Sequence, residues 1–237
     1  MGFEFCPTLE NLYRTREAVG RSGKPFHLTS GLSTVNNLLT IRQIMVEIRP
    51  ERTMEIGMAC GGSTLTFAAT HRDLHNQPSR QHVAVDGFQC SGFDDVGRLK
   101  LEEAGLSEYV EVCEQLSALA LPQMVREGLK FQLVYVDGSH RFEDVFCDFY
   151  FVRDLMPVGG YVLFDDSSDR EVAKVVRFIR RNLSDCFEPI PISRYRGQTA
   201  ARRLKYAVAE ALCKTQLTIF QKVKNGDRPG KRKLQSF

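Results

Sequence analysis

Between residues 32 and 48 the apolar positions Leu32, Val35, Leu38, Leu39, Ile41, Ile44, Met45 and Ile48 recur at helical spacing, and Pro50 closes the run. Residues 8–19 read as a shorter helix before it. From residue 53 the pattern changes to short apolar strands alternating with helical stretches. The strands are Thr53–Ile56, His82–Val85, Val110–Cys113, Phe131–Val136 and Tyr161–Phe164. The stretches between them predict helices over 63–70, 94–104, 117–127 (with Pro122 near its start) and 142–155. Strands that are apolar throughout are covered on both faces, and their alternation with helices predicts a parallel sheet. The last third predicts a helix at 171–183, a strand at 187–193, a basic amphipathic helix at 199–214, a final strand at 217–223 and a frayed tail at 225–237.

A chain of 237 residues suits one α/β domain with short additions. Its 43% hydrophobic and 26% charged content is that of a soluble globular protein, and no apolar run approaches the roughly 18 residues of a membrane span. The start, Met1 to Pro7, has no basic stretch leading into an apolar one, and Cys6 stands where N-terminal lipidation needs Ser or Thr. The seven cysteines (6, 60, 90, 113, 147, 186 and 213) form no C-x-x-C pair, and several lie in apolar segments. That usage predicts free thiols in a reducing cytoplasm.

Net charge is unevenly spread. Residues 170–237 hold 17 Lys/Arg against 5 Asp/Glu, and residues 1–169 hold 15 against 24. A basic end of this kind meets nucleic acid, acidic lipid or an anionic substrate, or is a solvated surface complementary to the acidic remainder.

Candidate chemistry gathers at the strand ends. Four successive strands finish on or next to an acid: Glu55, Asp86, Asp137 and Asp165. In an open α/β sheet, ligands bind beyond the carboxyl ends of the strands. The first of these strands runs into Gly57-Met58-Ala59-Cys60-Gly61-Gly62-Ser63, where glycines permit a tight turn and close backbone approach to a ligand. The spacing is G-x-x-x-G-G rather than the dinucleotide G-x-G-x-x-G. Asp86, at the end of the next strand, suits a pair of ribose hydroxyls.

With these motifs the sequence resembles the class I S-adenosylmethionine-dependent methyltransferases. Thr53–Leu65 is similar to their first motif and His82–Phe88 to their acidic second-strand motif. Phe131–His140 and Leu155–Asp166 resemble the D-G-S-H and L-x-P-G-G-Y-x-L-F-D-D regions of a small-molecule O-methyltransferase group, macrolide-sugar enzymes more closely and catechol O-methyltransferase more distantly. The resemblance covers roughly residues 30–180. It implies a Rossmann-like α/β fold with a mostly parallel seven-stranded sheet, helices on both faces and an antiparallel last strand. It implies a domain at 51–224 with a basic helical insertion at about 197–214, an N-terminal helical segment or lid at 1–50, and a flexible basic tail at 225–237. By the same similarity Gly57, Ala59 and Ser63 line the methionine part of the cofactor and Asp86 holds the ribose. Gly87 with Gln115 and Ser117 borders the adenine, Glu55 organises the glycine loop and reaches the cofactor ammonium, and Asp137 adjoins the cofactor.

Asp137, Asp165 and Asp166 belong to strands expected to be neighbours. Three close carboxylates repel unless paired, protonated or metal-bound, and a divalent cation such as magnesium resolves the repulsion. Such an ion would hold a substrate hydroxyl and lower its pKa; the plainer reading is a cap on the turn that follows. His140, three residues after Asp137, is the expected general base, and the macrolide-sugar relatives carry a histidine at the matching place. The expected function is methyl transfer to a hydroxyl of a small molecule, by a chain that can form a homo-oligomer. Two alternatives stand beside it. One is an RNA-modifying enzyme using Arg194, Tyr195, Arg196, Arg202, Arg203, Lys205 and Tyr206, although no N-P-P-Y or D-P-P-Y sequence follows the fourth strand. The other is a non-catalytic cofactor-binding module. An iron oxygenase is disfavoured, since no 2-His-1-carboxylate pattern is present.

Overall fold

A computed structural model describes residues 2–28, 32–75, 79–197, 199–212, 214–226 and 233–237. The chain divides into two compact units, Met1–Ala120 and Leu121–Phe237.

The first unit opens with α1 (Pro7–Thr15), which stops because Arg16 takes a left-handed conformation at φ 57° and its N–H turns back to the Leu12 carbonyl. The residues that the periodicity assigns to the end of this helix instead form β1 (Glu17–Val19), paired antiparallel with β2 (Pro25–His27). The turn between them includes Gly23 at φ 87°, and the Gly20 N–H bonds the Lys24 carbonyl. The sequence pattern announced neither this hairpin nor the short helix at Ser193–Arg196, where it expects the end of a strand. α2 (Val35–Ile48) starts on Thr34, whose side chain accepts from the Asn37 N–H, and ends on left-handed Arg49 just before Pro50. β3 (Thr53–Ile56), α3 (Gly62–Leu74), β4 (His82–Val85), α4 (Val96–Glu103) and β5 (Val110–Cys113) follow. Every residue of β3 and β4 is buried, the polar Thr53, Glu55 and His82 included.

α5 (Ser117–Arg126) leads to the second unit: β6 (Leu133–Val136), α6 (Phe142–Leu155), β7 (Tyr161–Phe164), α7 (Arg170–Asn182), β8 (Phe187–Ile190), α8 (Ser193–Arg196), α9 (Ala200–Ala211) and β9 (Thr218–Lys222). In α7, Val172, Val175, Val176 and Ile179 are buried while arginines take the other face. Of the strands in the seven-stranded sheet, the first unit supplies β5-β4-β3 in that order and the second β6-β7-β9-β8. β3, β4 and β5 run parallel, as do β6 and β7, whereas β9 is antiparallel to both β7 and β8. This is the Rossmann-like arrangement that the sequence implied. Of the tail, residues 227–232 lie outside the described residues, as does Cys213. Further along, Gln235 exchanges hydrogen bonds of 2.8 and 3.1 Å with the Asn182 side chain, and Phe237 packs edge-on against Phe178 with ring centroids 5.2 Å apart.

Behind β3 lies a wholly buried polar chain. Thr53 Oγ1 stands 2.8 Å from His71 Nε2 and 2.9 Å from His82 Nδ1, and His82 Nε2 is 3.2 Å from Glu55 Oε1. Thr64 donates to the same Glu55 oxygen. One hydroxyl proton cannot serve two rings, so Thr53 donates to one imidazole and accepts from the other. His71, neutral because its pKa is so low, avoids a buried unpaired N–H by carrying its proton on Nε2 and donating to Thr53, whose own proton then goes to His82 Nδ1; His82 Nε2 makes no hydrogen bond. His71 Nδ1 is then a bare buried acceptor, and it has no hydrogen-bond partner. Burial, with His82 and His75 adding to it, pushes the His71 pKa down to about 3.

That depression has a sign that can be measured. Below about pH 6.5 the unfolded chain protonates His71 while the folded chain does not until about pH 3. Stability is therefore full above 6.5 and falls as the pH drops from there toward 3, by about 1.4 kcal/mol per pH unit from this residue. Urea titrations at several pH values should show a shallower acid loss for His71→Gln, which keeps a donor but does not titrate. An unchanged slope would remove His71 from the account.

Candidate active site

The first unit builds a loop between β3 and α3 that is locked from one side by Asp86. Gly57 and Gly61 take φ 93° and 85°, and Ala59, between them, is left-handed at 45°. Asp86 Oδ2 accepts from the backbone N–H of Met58 (3.0 Å) and Ala59 (2.8 Å) and from the Gln89 amide (3.0 Å). Its Oδ1 accepts from the Phe88 N–H at 2.8 Å. Asp86 thus does a structural job that its position at a strand end did not announce: it ties the glycine loop to the end of β4. Gln89, fully buried, completes the tie by donating to the Ala59 carbonyl at 2.7 Å. Cys60, buried in the loop near the Asp86 charge, has its thiol pKa pushed up to about 11, so it is an inert neutral group.

The other predicted residues of this unit take distinct positions. Glu55 is buried and bonded through Oε1, but its Oε2 has no hydrogen-bond partner. Ser63 is buried in the first turn of α3. Gly87 lies flush against the Gln115–Leu116 backbone: a Cβ there would stand 3.0 Å from the Leu116 nitrogen. Gln115 is exposed and Ser117 half-buried, and the large side chains of Phe88 and Leu116 are exposed at 54% and 51%. The N-terminal segment reaches the loop as well, since a Cβ on Gly62 would meet Leu32 at 3.2 Å and the Tyr13 hydroxyl at 3.3 Å. His27, by contrast, is on β2 with an exposed side chain 3.6 Å from Glu17.

In the second unit, ligand atoms of Asp137, His140 and Asp166 all lie within 4.8 Å of one another. His140 is bracketed by carboxylates, with Nε2 3.0 Å from Asp166 and Nδ1 3.0 Å from Asp169. Asp166 is left-handed at φ 45° and also accepts from the Gln216 amide. Burial, then the charges of Asp165 and Asp169, push its carboxyl pKa up, against the opposing effect of His140.

Asp165 goes elsewhere. It is buried, accepts from the Tyr135 hydroxyl and from the Asp166 N–H, and lies in the field of Arg196. The group that could hold a cation therefore contains His140 where the sequence reading has Asp165. Asp169 is a residue that reading missed, and Arg196 stands elsewhere than that reading has it. Arg196 was grouped with an outward basic surface, but its guanidinium is largely buried beside Asp165, Tyr135 and Tyr206, and burial lowers its pKa. Asp169 carried no signal beyond standing before a helix.

A glycine loop after the first parallel strand, acids at the strand ends and a mixed edge with an antiparallel β9 define a class I methyltransferase-type fold. Residues 54–167 match the family model described as a methyltransferase domain, Methyltransf_24, and this stretch carries the loop, Asp86, Asp137, His140 and the Asp165–Asp166 pair. Comparison with curated proteins gave no match. Among solved structures the chain is similar to the O-methyltransferase TomG from Streptomyces achromogenes in complex with SAM, at 18% identity and a TM-score of 0.65, covering 92% of this chain and 90% of that one. It is similar to an O-methyltransferase from Bacillus cereus in complex with SAH, at 17% and 0.62 with 92% and 90% covered. Cofactor-bound Rv0187 from MTB stands at 17% and 0.63, with 92% and 91% covered. At such identities the likeness is one of fold.

Removing the Asp86 carboxylate leaves the Met58, Ala59 and Phe88 N–H groups without their acceptor. Asp86→Ala should cost about 2–4 kcal/mol in chemical denaturation, because buried donors lose a charged partner. A loss below about 0.5 kcal/mol would mean that the loop stands without this tie.

Proposed function

We propose that this chain transfers the methyl group of S-adenosylmethionine to a hydroxyl oxygen of a small molecule, with a divalent cation assisting. The observation that carries the acceptor half is the convergence of Asp137, His140 and Asp166 within one 4.8 Å group. The donor half is supported by the methyltransferase domain and by fold neighbours solved with SAM and SAH.

The first unit's residues fit the donor. A buried carboxylate oxygen without a partner is costly, and Glu55 Oε2 is such an atom. The cofactor ammonium, directly or through water, supplies the missing donor. Gly57, Ala59 and Ser63 then face the methionine part, and Asp86 offers its Oδ1 to the ribose. Adenine, a flat and largely apolar ring, suits the ledge of Gly87, Gln115 and Ser117 beside exposed Phe88 and Leu116.

The second unit's residues fit the acceptor. Asp137 and Asp166 are oxygen ligands suited to a hard cation such as Mg2+, which would hold the substrate oxygen and lower its pKa. His140 accepts the hydroxyl proton at Nε2, and Asp169, at Nδ1, fixes the ring. Asp165 is a positioning residue: held inside by the Tyr135 hydroxyl and in the field of Arg196, it leaves Asp166 as the outward acid of the two. Because imidazole also ligates metals, His140 has two chemical options here, and they make different predictions. The RNA reading finds less support, since Arg196 and Tyr206 face each other rather than solvent.

Calorimetric titration with S-adenosylmethionine, repeated with Mg2+ and with EDTA, tests both halves. Absence of binding under every condition would sink the donor assignment. His140→Ala should retain cation binding and lose about 10²–10⁴-fold in turnover if it is the base. Loss of cation binding in the same variant would make it a ligand instead. Asp166→Asn should abolish the cation effect, whereas Asp165→Asn should mainly lower the melting temperature.

A further inference from the structure

Helix α9 is built the wrong way round for a helix packed on a soluble protein. Its half-buried residues are Tyr206, Ala209 and Glu210, and the exposed Arg203 lies along the same side. Tyr206 bonds Arg196, the Glu210 carboxylate accepts from the Ile192 N–H at 2.6 Å, and the Arg203 guanidinium donates to the Gly197 carbonyl at 2.9 Å. None of its residues is buried. Leu204, Val208 and Leu212, spaced by four and therefore in one row, are exposed at 68%, 51% and 59%. An ordinary amphipathic helix turns that row to the core. Here the row is presented outward, with Ala201 beside it and Lys205 and Arg202 along one edge. The only acid on the helix, Glu210, is turned inward to Ile192.

From this inverted polarity we propose that α9 is a docking element for an anionic lipid surface, lying in the plane of the interface. The aliphatic row enters the boundary between headgroups and acyl chains, and Lys205 and Arg202, then Lys214 beyond the helix, reach the headgroup phosphates. Charge selects this occupant over a second copy of the chain: pairing two rows would bring the same cations together. The chemistry also selects it over nucleic acid, because leucine and valine offer bases no stacking face. The proposal is independent of the methyl-transfer reading.

Co-sedimentation with phosphatidylcholine vesicles, with and without phosphatidylserine, tests it on the full chain. The protein should pellet with the phosphatidylserine vesicles and stay in solution with phosphatidylcholine alone. Lys205→Glu should weaken the association by about tenfold or more, and added salt should weaken it too. The double variant Leu204→Gln/Val208→Gln should abolish it, with an unchanged circular dichroism spectrum and melting temperature because these positions are exposed. Failure of the unaltered chain to pellet with anionic vesicles would overturn the proposal, as would undiminished binding by the double variant. So would a concentration-dependent dimer in sedimentation velocity that the double variant dissolves, since the row would then be occupied by a second copy.

Discussion

A carboxylate cannot be buried without donors, and the way Asp86 finds them governs the first unit. Its partners are the Met58, Ala59 and Phe88 amides and the Gln89 side chain. The amides of the loop after β3 are thereby committed to a group at the end of β4, and loop and strand become one object. The glycines follow from this. Gly57 and Gly61 supply left-handed turns, and Gly97 must lack a side chain because a Cβ there would stand 2.7 Å from Met58 and 2.9 Å from the Ala59 carbonyl. The shape of the loop is thus set by groups of the protein itself.

The second unit resolves a similar problem by dividing two adjacent aspartates. Asp165 and Asp166 are neighbours in sequence, and two charges so close oppose each other's ionisation. The left-handed turn at Asp166 sends the two side chains to different partners. Asp165 accepts from the Tyr135 hydroxyl and lies in the field of the half-buried Arg196, while Asp166 meets Gln216 and His140. One acid is held inside by protein groups, and the other joins Asp137 and His140. A basic segment that looks like surface in sequence therefore contributes a charge to the interior.

Most of the fold was legible because burial on both faces leaves apolar runs that can be read directly. Tyr161–Phe164 is such a run, and His82–Val85 and Val110–Cys113 also appear with their expected bounds, although Glu111 of the last is exposed. The hairpin was not legible, since three-residue strands are too short to show a period and a left-handed Arg16 has no sequence mark. At the site, the acids and His140 could be named from the strand ends, but their pairings could not. Which of Asp165 and Asp166 points outward depends on one backbone angle. Whether an arginine of the 194–205 stretch turns inward depends on tertiary packing that the helical pattern of charges does not encode. α9 could be called amphipathic from sequence, but which side faces inward could not, and there the structure departs from the usual rule.

The two acids flanking the glycine loop now have unequal capacity, and this bears on how a ribose and an ammonium could share the site. A carboxylate has about four lone-pair positions. Asp86 has filled one on Oδ1 and crowded Oδ2 with three donors, so a diol reaching it meets one free position on Oδ1. A bidentate grip on both hydroxyls requires Gln89 to release its hold, and Gln89 has no other described acceptor than the Ala59 carbonyl. Glu55 is the reverse case, with Oε1 accepting from Thr64 and Oε2 without a partner. The unsatisfied buried acceptor is therefore the stronger local drive for a cationic ligand group. The strand-end aspartate acts first as a strut for the loop after β3.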